Sequence, residues 1–334
     1  MANKIYAHSS SPHIKKPKTT RSIMLDVCIA LTPACIMGIV YFGLMAGLII
    51  AVSVISAVAS EFIYLLITGK KFKEILKQFD LTSCVTGMLI AMVVGVQTPI
   101  YVPILASVFA IVVVKMLFGG TGKNLVNPAV TGRIFAFISF TTVMASGWVE
   151  SYIGAIFGGS SINPETGATI FTDSFTTTAT TSLSNLDLFL GTGLTGCIGE
   201  TCKVALLIGF IYLCVRGVIN WLYPTIYVAV TGLFTVCLCG FDFSVFLPSI
   251  LSGGLILGAV FMATDYTTSP NTFLGNVIYF ICLGLLTAGL RMATQMEAVS
   301  FAILLMNLTV PLIDKFIYPK PFGYKKAKAV KGGK

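Results

Sequence analysis

Three sets of residues in this chain have types and spacings that chemistry could use. The first is Asp173-Ser-Phe-Thr-Thr-Thr-Ala-Thr180-Thr-Ser, a row of hydroxyls in the longest polar interval between hydrophobic blocks, roughly residues 147–191. No Lys or Arg occurs between Arg133 and Lys203. Read from its residues alone, the stretch is a flexible Ser/Thr-rich linker. The second set is the carboxylates inside apolar runs, Asp26, Glu61 and Glu200, which are expensive in a membrane and default to functional candidates. Asp26 lies one turn into its run and is expected to face headgroups. Glu200 stands three residues before Lys203, a spacing that pairs them on a helix. Glu61 lies deeper, with Lys70 too far along to neutralise it, so it is either protonated or paired with a cation. All three are candidates for an ion path.

The third set is a pair of polar loops. Phe118-Gly-Gly-Thr-Gly-Lys-Asn124-Leu-Val-Asn127-Pro128 combines glycines, which let backbone approach a ligand closely, with amides that donate and accept. It lacks the spacing of a phosphate-binding P-loop and follows no strand. Met262-Ala-Thr264-Asp265-Tyr-Thr267-Thr268-Ser269-Pro270-Asn271 places an acid at the end of an apolar run. Each loop has a second reading as turn and helix-cap chemistry.

The elements that must position these residues are membrane helices. Of 334 residues, 56% are hydrophobic and only 10% charged, where a soluble domain carries about a quarter. Mean hydropathy is +0.91. With about 20 apolar residues needed per crossing, spans are expected near 22–43, 45–67, 82–98, 101–118, 129–146, 201–220, 224–241, 246–264, 273–290 and 296–314. The net charge of +9 is a topology signal and not a nucleic-acid footprint. All of the 22 Lys and Arg except Lys203 and Arg291 fall in five groups that ten spans place on one face, and basic loops stay in the cytoplasm. Both termini are then cytoplasmic, and 147–191 is external. The stretch 70–77 reads as an amphipathic surface helix. No signal-peptide pattern precedes the first span. The nine cysteines are scattered, most of them (Cys28, Cys35, Cys84, Cys214, Cys237, Cys282) inside apolar runs as soft packing residues, with Cys237-Leu-Cys239 the one close pair.

An internal repeat is suggested by Thr86-Gly87-Met-Leu-Ile and Ser252-Gly253-Gly-Leu-Ile, which also aligns Thr98 with Thr264. Five spans per half would invert one half against the other, an arrangement that places ligand sites at broken helices near the midplane. The expected organisation is a basic N-terminus (1–21), a first five-helix repeat (22–146), an external segment (147–200), a second repeat (201–314) and a basic tail (315–334).

The motifs Ser10-Ser-Pro-His13, Ile23-Met-Leu-Asp-Val27, Phe118 to Ala129, Cys197-Ile-Gly-Glu200-Thr, Arg216-Gly-Val-Ile-Asn-Trp221 and Met262 to Pro270 occur in one order along nearly the whole chain. In that order they resemble the RnfD/NqrB family of membrane subunits from ion-translocating oxidoreductase complexes. The resemblance implies an all-α, ten-helix inverted-repeat fold similar to urea transporters, in a bacterial inner membrane. It implies FMN joined through its phosphate to a threonine, and a second, non-covalent flavin such as riboflavin within the bundle. The implied role is relaying electrons between ferredoxin and NAD while sodium ions or protons cross, beside other Rnf-type subunits and an RnfG-like flavoprotein. A flavin transferase would attach the FMN.

The family's attachment pattern, roughly Asp-x-x-[Ser/Thr]-[Ser/Thr]-Gly-Ala-Thr, maps onto Asp173, Thr176, Thr177, Ala179 and Thr180, with Thr178 in place of the usual glycine or serine. Thr166-Gly-Ala-Thr169 is a rival that lacks the acid, so Thr180 is favoured over Thr169. Non-covalent contacts fall to Asn124, Asn127, Thr264, Asp265 and Thr268. The alternative is a urea-like small-solute channel without redox function.

Overall fold

The computed structural model describes residues 19–146, 149–150, 185–191, 195–294 and 297–317. Among these, the regular secondary structure is helical apart from a short antiparallel ladder of the two-residue strands β1 (Val149–Glu150) and β2 (Thr195–Gly196). The first half holds α1 (Thr20–Phe42), α2 (Leu44–Ile67), α3 (Phe72–Gln78), α4 (Thr82–Met92), α5 (Tyr101–Val108), α6 (Pro128–Ser139) and α7 (Thr141–Ser146). After α8 (Asn185–Leu190) come α9 (Lys203–Val215), α10 (Leu222–Leu238), α11 (Phe246–Leu251), α12 (Leu255–Leu257), α13 (Phe273–Thr294) and α14 (Val299–Phe316). Two helices widen into π-helical turns, α5 over Phe109–Met116 and α12 over Gly258–Met262.

Every expected apolar segment holds a helix, but the lengths differ. Only α1, α2, α13 and α14 are long and apolar enough to cross a membrane alone; α11 and α12 make a fifth candidate as a pair bent by 65°. The apolar helices α4, α6, α9 and α10, and α5 with its π turns, span only 10–17 residues each. Short helices leave non-helical chain at membrane depth, which is tolerated only where protein buries it and satisfies its backbone. The fold does this by pairing two such stretches. Val93, Val94 and Thr98 beyond α4, and Cys197 to Cys202 before α9, are buried. Ile198 N donates to Val94 O (3.2 Å) and Gly199 N to Met92 O (2.8 Å).

The α11–α12 break falls at Ser252-Gly253-Gly254, where Gly253 adopts φ +63°, a region that favours glycine. Close helix approach elsewhere relies on small residues, as membrane packing does. A Cβ on Gly87 would lie 2.7 Å from Val54 Cα, so α4 sits directly on α2. Ser53 on α2 donates to Gly87 O (2.8 Å) and meets Ser107 of α5 (2.9 Å). The two glycines aligned in the suggested repeat therefore differ locally: Gly87 is helical and Gly253 is the bend. One contiguous core runs through both halves, from Met24 to Met306. The lysine-rich stretch forms the short α3 with Ile75 buried and Phe72 and Leu76 exposed beside its lysines, an amphipathic pattern.

Candidate functional site

The two polar loops, far apart in sequence, meet. Past the π turns of α5 the chain bends at Gly119 and Gly120, both at positive φ, and delivers Asn124 and Asn127. Past the π turns of α12 it delivers Thr264, Asp265 and Thr268. π-helical turns are frequent at functional sites. Asn124 Nδ2 donates to Thr267 Oγ1 (3.2 Å) and Asn127 Nδ2 to Met262 O (2.9 Å). Asn127 also caps α6, its Oδ1 accepting from Ala129 N (2.9 Å) ahead of Pro128 at the first helical position. Capping and cross-bracing are thus done by one side chain. Asp265 accepts from Thr267 N (3.3 Å), Thr267 Oγ1 (2.8 Å) and Thr268 Oγ1 (3.3 Å).

Asn307 on α14 ties the two loops from behind. Its amide nitrogen donates to Tyr279 Oη (2.8 Å) and Thr268 O (3.3 Å), and its oxygen accepts from Asn127 N (3.1 Å). Between the loops lies a cleft with about 840 Å³ of empty space, its open mouth included. Its walls are apolar (Val85, Leu89, Leu213, Ile219, Phe261), and Asn124, Asn127, Thr264 and Asp265 supply polar edges. A mostly apolar concavity with a few convergent polar groups is the usual form of a small-molecule site. Thr268 sits buried one step behind, on Asp265. The donor set suits a flat heteroaromatic ligand with two apolar faces and a polar edge. Among the described lining residues Lys115 is the only cation, so nothing there resembles the arginine-rich setting that phosphate groups favour.

Below the cleft, Glu61 finds its cation. Lys115, in the π turns of α5, lies 2.9 Å from Glu61 Oε1, and both are buried. Ser83 Oγ donates to Glu61 Oε2, and Lys115 also reaches Ser83 (3.3 Å) and Thr82. Asp80, 4.0 Å from Lys115, accepts from Thr82 Oγ1 (2.6 Å) and Thr121 Oγ1 (2.7 Å). Burial by itself would raise the Asp80 carboxyl, but Lys115 and the hydroxyls of Thr121 and Thr82 outweigh it and hold the group below its ordinary value.

Glu200 and Asp26 differ from expectation. Glu200 pairs with Arg133 (3.6 Å), not with the Lys203 ammonium, which donates instead to the Glu200 main-chain carbonyl. The reason is that α9 begins only at Lys203, so the helical three-residue spacing does not apply. Arg133 in turn donates to Ser300 (2.8 Å). At the α11–α12 break, Arg291 pairs with Glu297 (3.0 Å), and Gly254 N donates to Glu297 (3.3 Å). Glu200 Oε1 makes no hydrogen bond, and neither do the buried hydroxyls of Thr201 and Ser252. Asp26 does not face headgroups. It is buried because α1 packs on α9, and it pairs with Arg216 (3.1 Å) and accepts from Tyr212 (3.1 Å).

Thr180, Thr169, Asp173 and Thr177 lie outside the described residues. Three residues that build the site, Lys115, Arg133 and Asn307, do not stand out as site residues in the sequence. Each is a charged or amide residue inside an apolar run, the same signal that flags Glu61. Lys115 and Arg133 fall in the cation groups expected at the surface, whereas both are buried.

The model of the NQR2, RnfD, RnfE family matches residues 7–323. The chain is 40% identical over 332 residues to a component of the Na(+)-translocating ferredoxin:NAD(+) oxidoreductase complex of Acetobacterium woodii, covering 96% of each chain. It is 32% identical over 329 residues to a component of the proton-translocating ferredoxin:NAD(+) oxidoreductase complex of Clostridium ljungdahlii, covering 96% of this chain and 97% of that one. Against a component of the ion-translocating oxidoreductase complex of Stutzerimonas stutzeri it is 33% identical over 327 residues, covering 90% and 91%.

Proposed function

The chain belongs to the NQR2, RnfD, RnfE family, and from that premise we propose that it relays electrons through two flavins while a small monovalent cation crosses the membrane. It is a multi-pass membrane subunit of an ion-translocating ferredoxin:NAD+ oxidoreductase complex. One flavin is FMN, esterified through its phosphate to Thr180, with Thr169 the rival and Asp173 and Thr177 flanking. The hydroxyl-rich, cation-free segment supplies the nucleophilic oxygen, and a flavin transferase makes the bond, the threonine oxygen attacking the diphosphate of FAD with AMP as the leaving group. The second flavin is non-covalent and occupies the cleft, held by Asn124, Asn127, Thr264 and Asp265, with Thr268 and Asn307 fixing those groups. A cleft with one cation in its lining favours a flavin without phosphate, such as riboflavin. The cofactor supplies reversible one- and two-electron chemistry when bound; the protein supplies position and electrostatics.

The observation that carries this reading is the meeting of the two loops around an apolar cleft with a polar edge. Ten crossings in two inverted halves are supported by an interrupted third segment in each half, α4 ending at Met92 and α11–α12 breaking at Ser252 to Gly254. Both termini are then cytoplasmic, in the bacterial inner membrane, with Thr180 outside beside an RnfG-like flavoprotein. The ion path uses Glu61 and Glu200, the latter because its Oε1, 3.6 Å from Arg133, and the Thr201 and Ser252 hydroxyls are buried without a hydrogen bond. Asp26, held through Oδ1 by Arg216 and Tyr212 while its buried Oδ2 makes no hydrogen bond, is the third ion-path candidate.

Vesicles carrying the whole complex test the reading. Cation movement is expected only when a reduced ferredoxin-class donor and NAD+ are both supplied. Solute uptake by a colourless protein without a donor would instead establish a urea-like channel.

A further inference from the structure

We propose that Lys115, Glu61 and Asp80 form a proton relay that connects an inner vestibule to the cleft. The inference rests on the reading of the cleft as the seat of a flavin. Two cavities adjoin at Thr121. The vestibule, with about 910 Å³ of empty space including its mouth, is lined by Glu61, Thr68, Lys70, Asp80 and the Gly119–Thr121 backbone turn. The cleft is lined by Thr82, Lys115 and Thr121. The side chains between them form one hydrogen-bonded chain. Lys115 holds Glu61 at 2.9 Å, Ser83 at 3.3 Å and the Thr82 hydroxyl, and Thr82 donates on to Asp80 at 2.6 Å. Thr121, which touches both cavities, closes the chain onto Asp80 at 2.7 Å.

The charges fit a carrier of protons. Two carboxylates and one ammonium leave the group with one negative charge in excess, so one further proton from vestibule water makes it neutral. Other ionisable groups facing it are Cys84 of α4, Tyr64 of α2, Tyr266 after α12, and Lys70 at the vestibule rim. None of these is a carboxylate, and Asp265 lines the cleft but not the vestibule, which leaves Glu61 and Asp80 as the entry points. A transfer moves one proton and no electrons. A proton leaves Lys115 Nζ through the Thr82 hydroxyl into the cleft, the Thr82 O–H turning from Asp80 to the cleft side. Lys115 is then recharged from Glu61 or Asp80, and that carboxylate from vestibule water. The electrons that require the proton come from the complex's reduced ferredoxin-class donor. Lys115 and its partners are thus positioning and relay residues for the redox step.

The test uses the whole complex with K115M, E61Q and D80N. D80N is the decisive variant because Asp80 is partly exposed and its amide keeps the hydrogen bond from Thr82. Flavin content, proton uptake on reduction measured with a pH indicator, and the pH profile of flavin reduction are read together. The relay requires wild-type flavin content, a fall of about tenfold or more in the reduction rate, and a flattened pH profile, with K115R, whose guanidinium keeps the charge but does not give up a proton, as slow as K115M. Wild-type pH profiles and proton uptake in D80N and E61Q with flavin bound would overturn the relay. Rates restored in D80N by added sodium would overturn it too, in favour of a cation site. Absence of a cleft flavin from the wild-type complex would contradict the reading of the cleft itself.

Discussion

At the scale of single residues, the polar groups that matter here are paired across elements. Glu61 is the clearest case. Its carboxylate is buried in an apolar helix and is sustained by Lys115 from α5 and Ser83 from α4. Breaking a buried pair by removing one partner costs about 3–5 kcal/mol, because it strands the other charge, whereas replacing both by apolar or neutral groups is often neutral. K115M is therefore expected to lower the melting temperature of the detergent-solubilised protein sharply. The double variant E61Q/K115M is expected to recover most of the loss. Equal destabilisation by the single and double variants would show that the pair contributes through packing alone. Glu61 is conspicuous in the sequence because a carboxylate stands out in an apolar run. Lys115 is not, since it sits near a glycine-rich turn and reads as the first cation of a surface group. Which cation neutralises which acid is a tertiary fact, and neither spacing nor composition carries it.

At the scale of elements, short helices and their broken ends build the site. The glycines and amides of Phe118 to Pro128 and Met262 to Asn271 are legible as unusual loops because such residues are conspicuous beside apolar spans. That Asn124 and Thr267 touch is not legible, since it depends on how far the π turns of α5 and α12 advance each chain end. The expected Glu200–Lys203 pairing fails for a related reason: the apolar run begins before the helix does. Buried chain from Cys197 to Cys202 stays non-helical so that its amides can serve Met92 and Val94. The α2–α4 contact that sets the cleft wall depends on Gly87. G87V is expected to force the helices apart and to destabilise by about 1–3 kcal/mol, as overpacking does, with faster proteolysis at the inner loops. A variant as stable as wild type would mean that α4 can slide without loss.

At the scale of the whole molecule, a single core joins both halves, and the cleft opens at their seam. Charge is divided by function. The α3 lysines remain at the surface, while Lys115, Arg133, Lys203 and Arg291 are buried beside Glu61, Glu200 and Glu297. Buried pairs of this kind are weak contributors to stability, which is compatible with the ion-path role proposed for Glu61 and Glu200. The class of protein is legible from composition alone, and the family from motifs in order along the chain. The depth at which each helix begins and ends is not, because apolar runs look alike whether helical or extended. The central claim is that the polar segment before α8 carries FMN. It is tested most directly by mass spectrometry of the tryptic peptide between Arg133 and Lys203, which contains both candidate threonines and no internal cleavage site. The expected result is a single FMN phosphoryl adduct on Thr180 that disappears in T180V and persists in T169V. An unmodified peptide from an active complex, or an adduct that survives T180V, would contradict it.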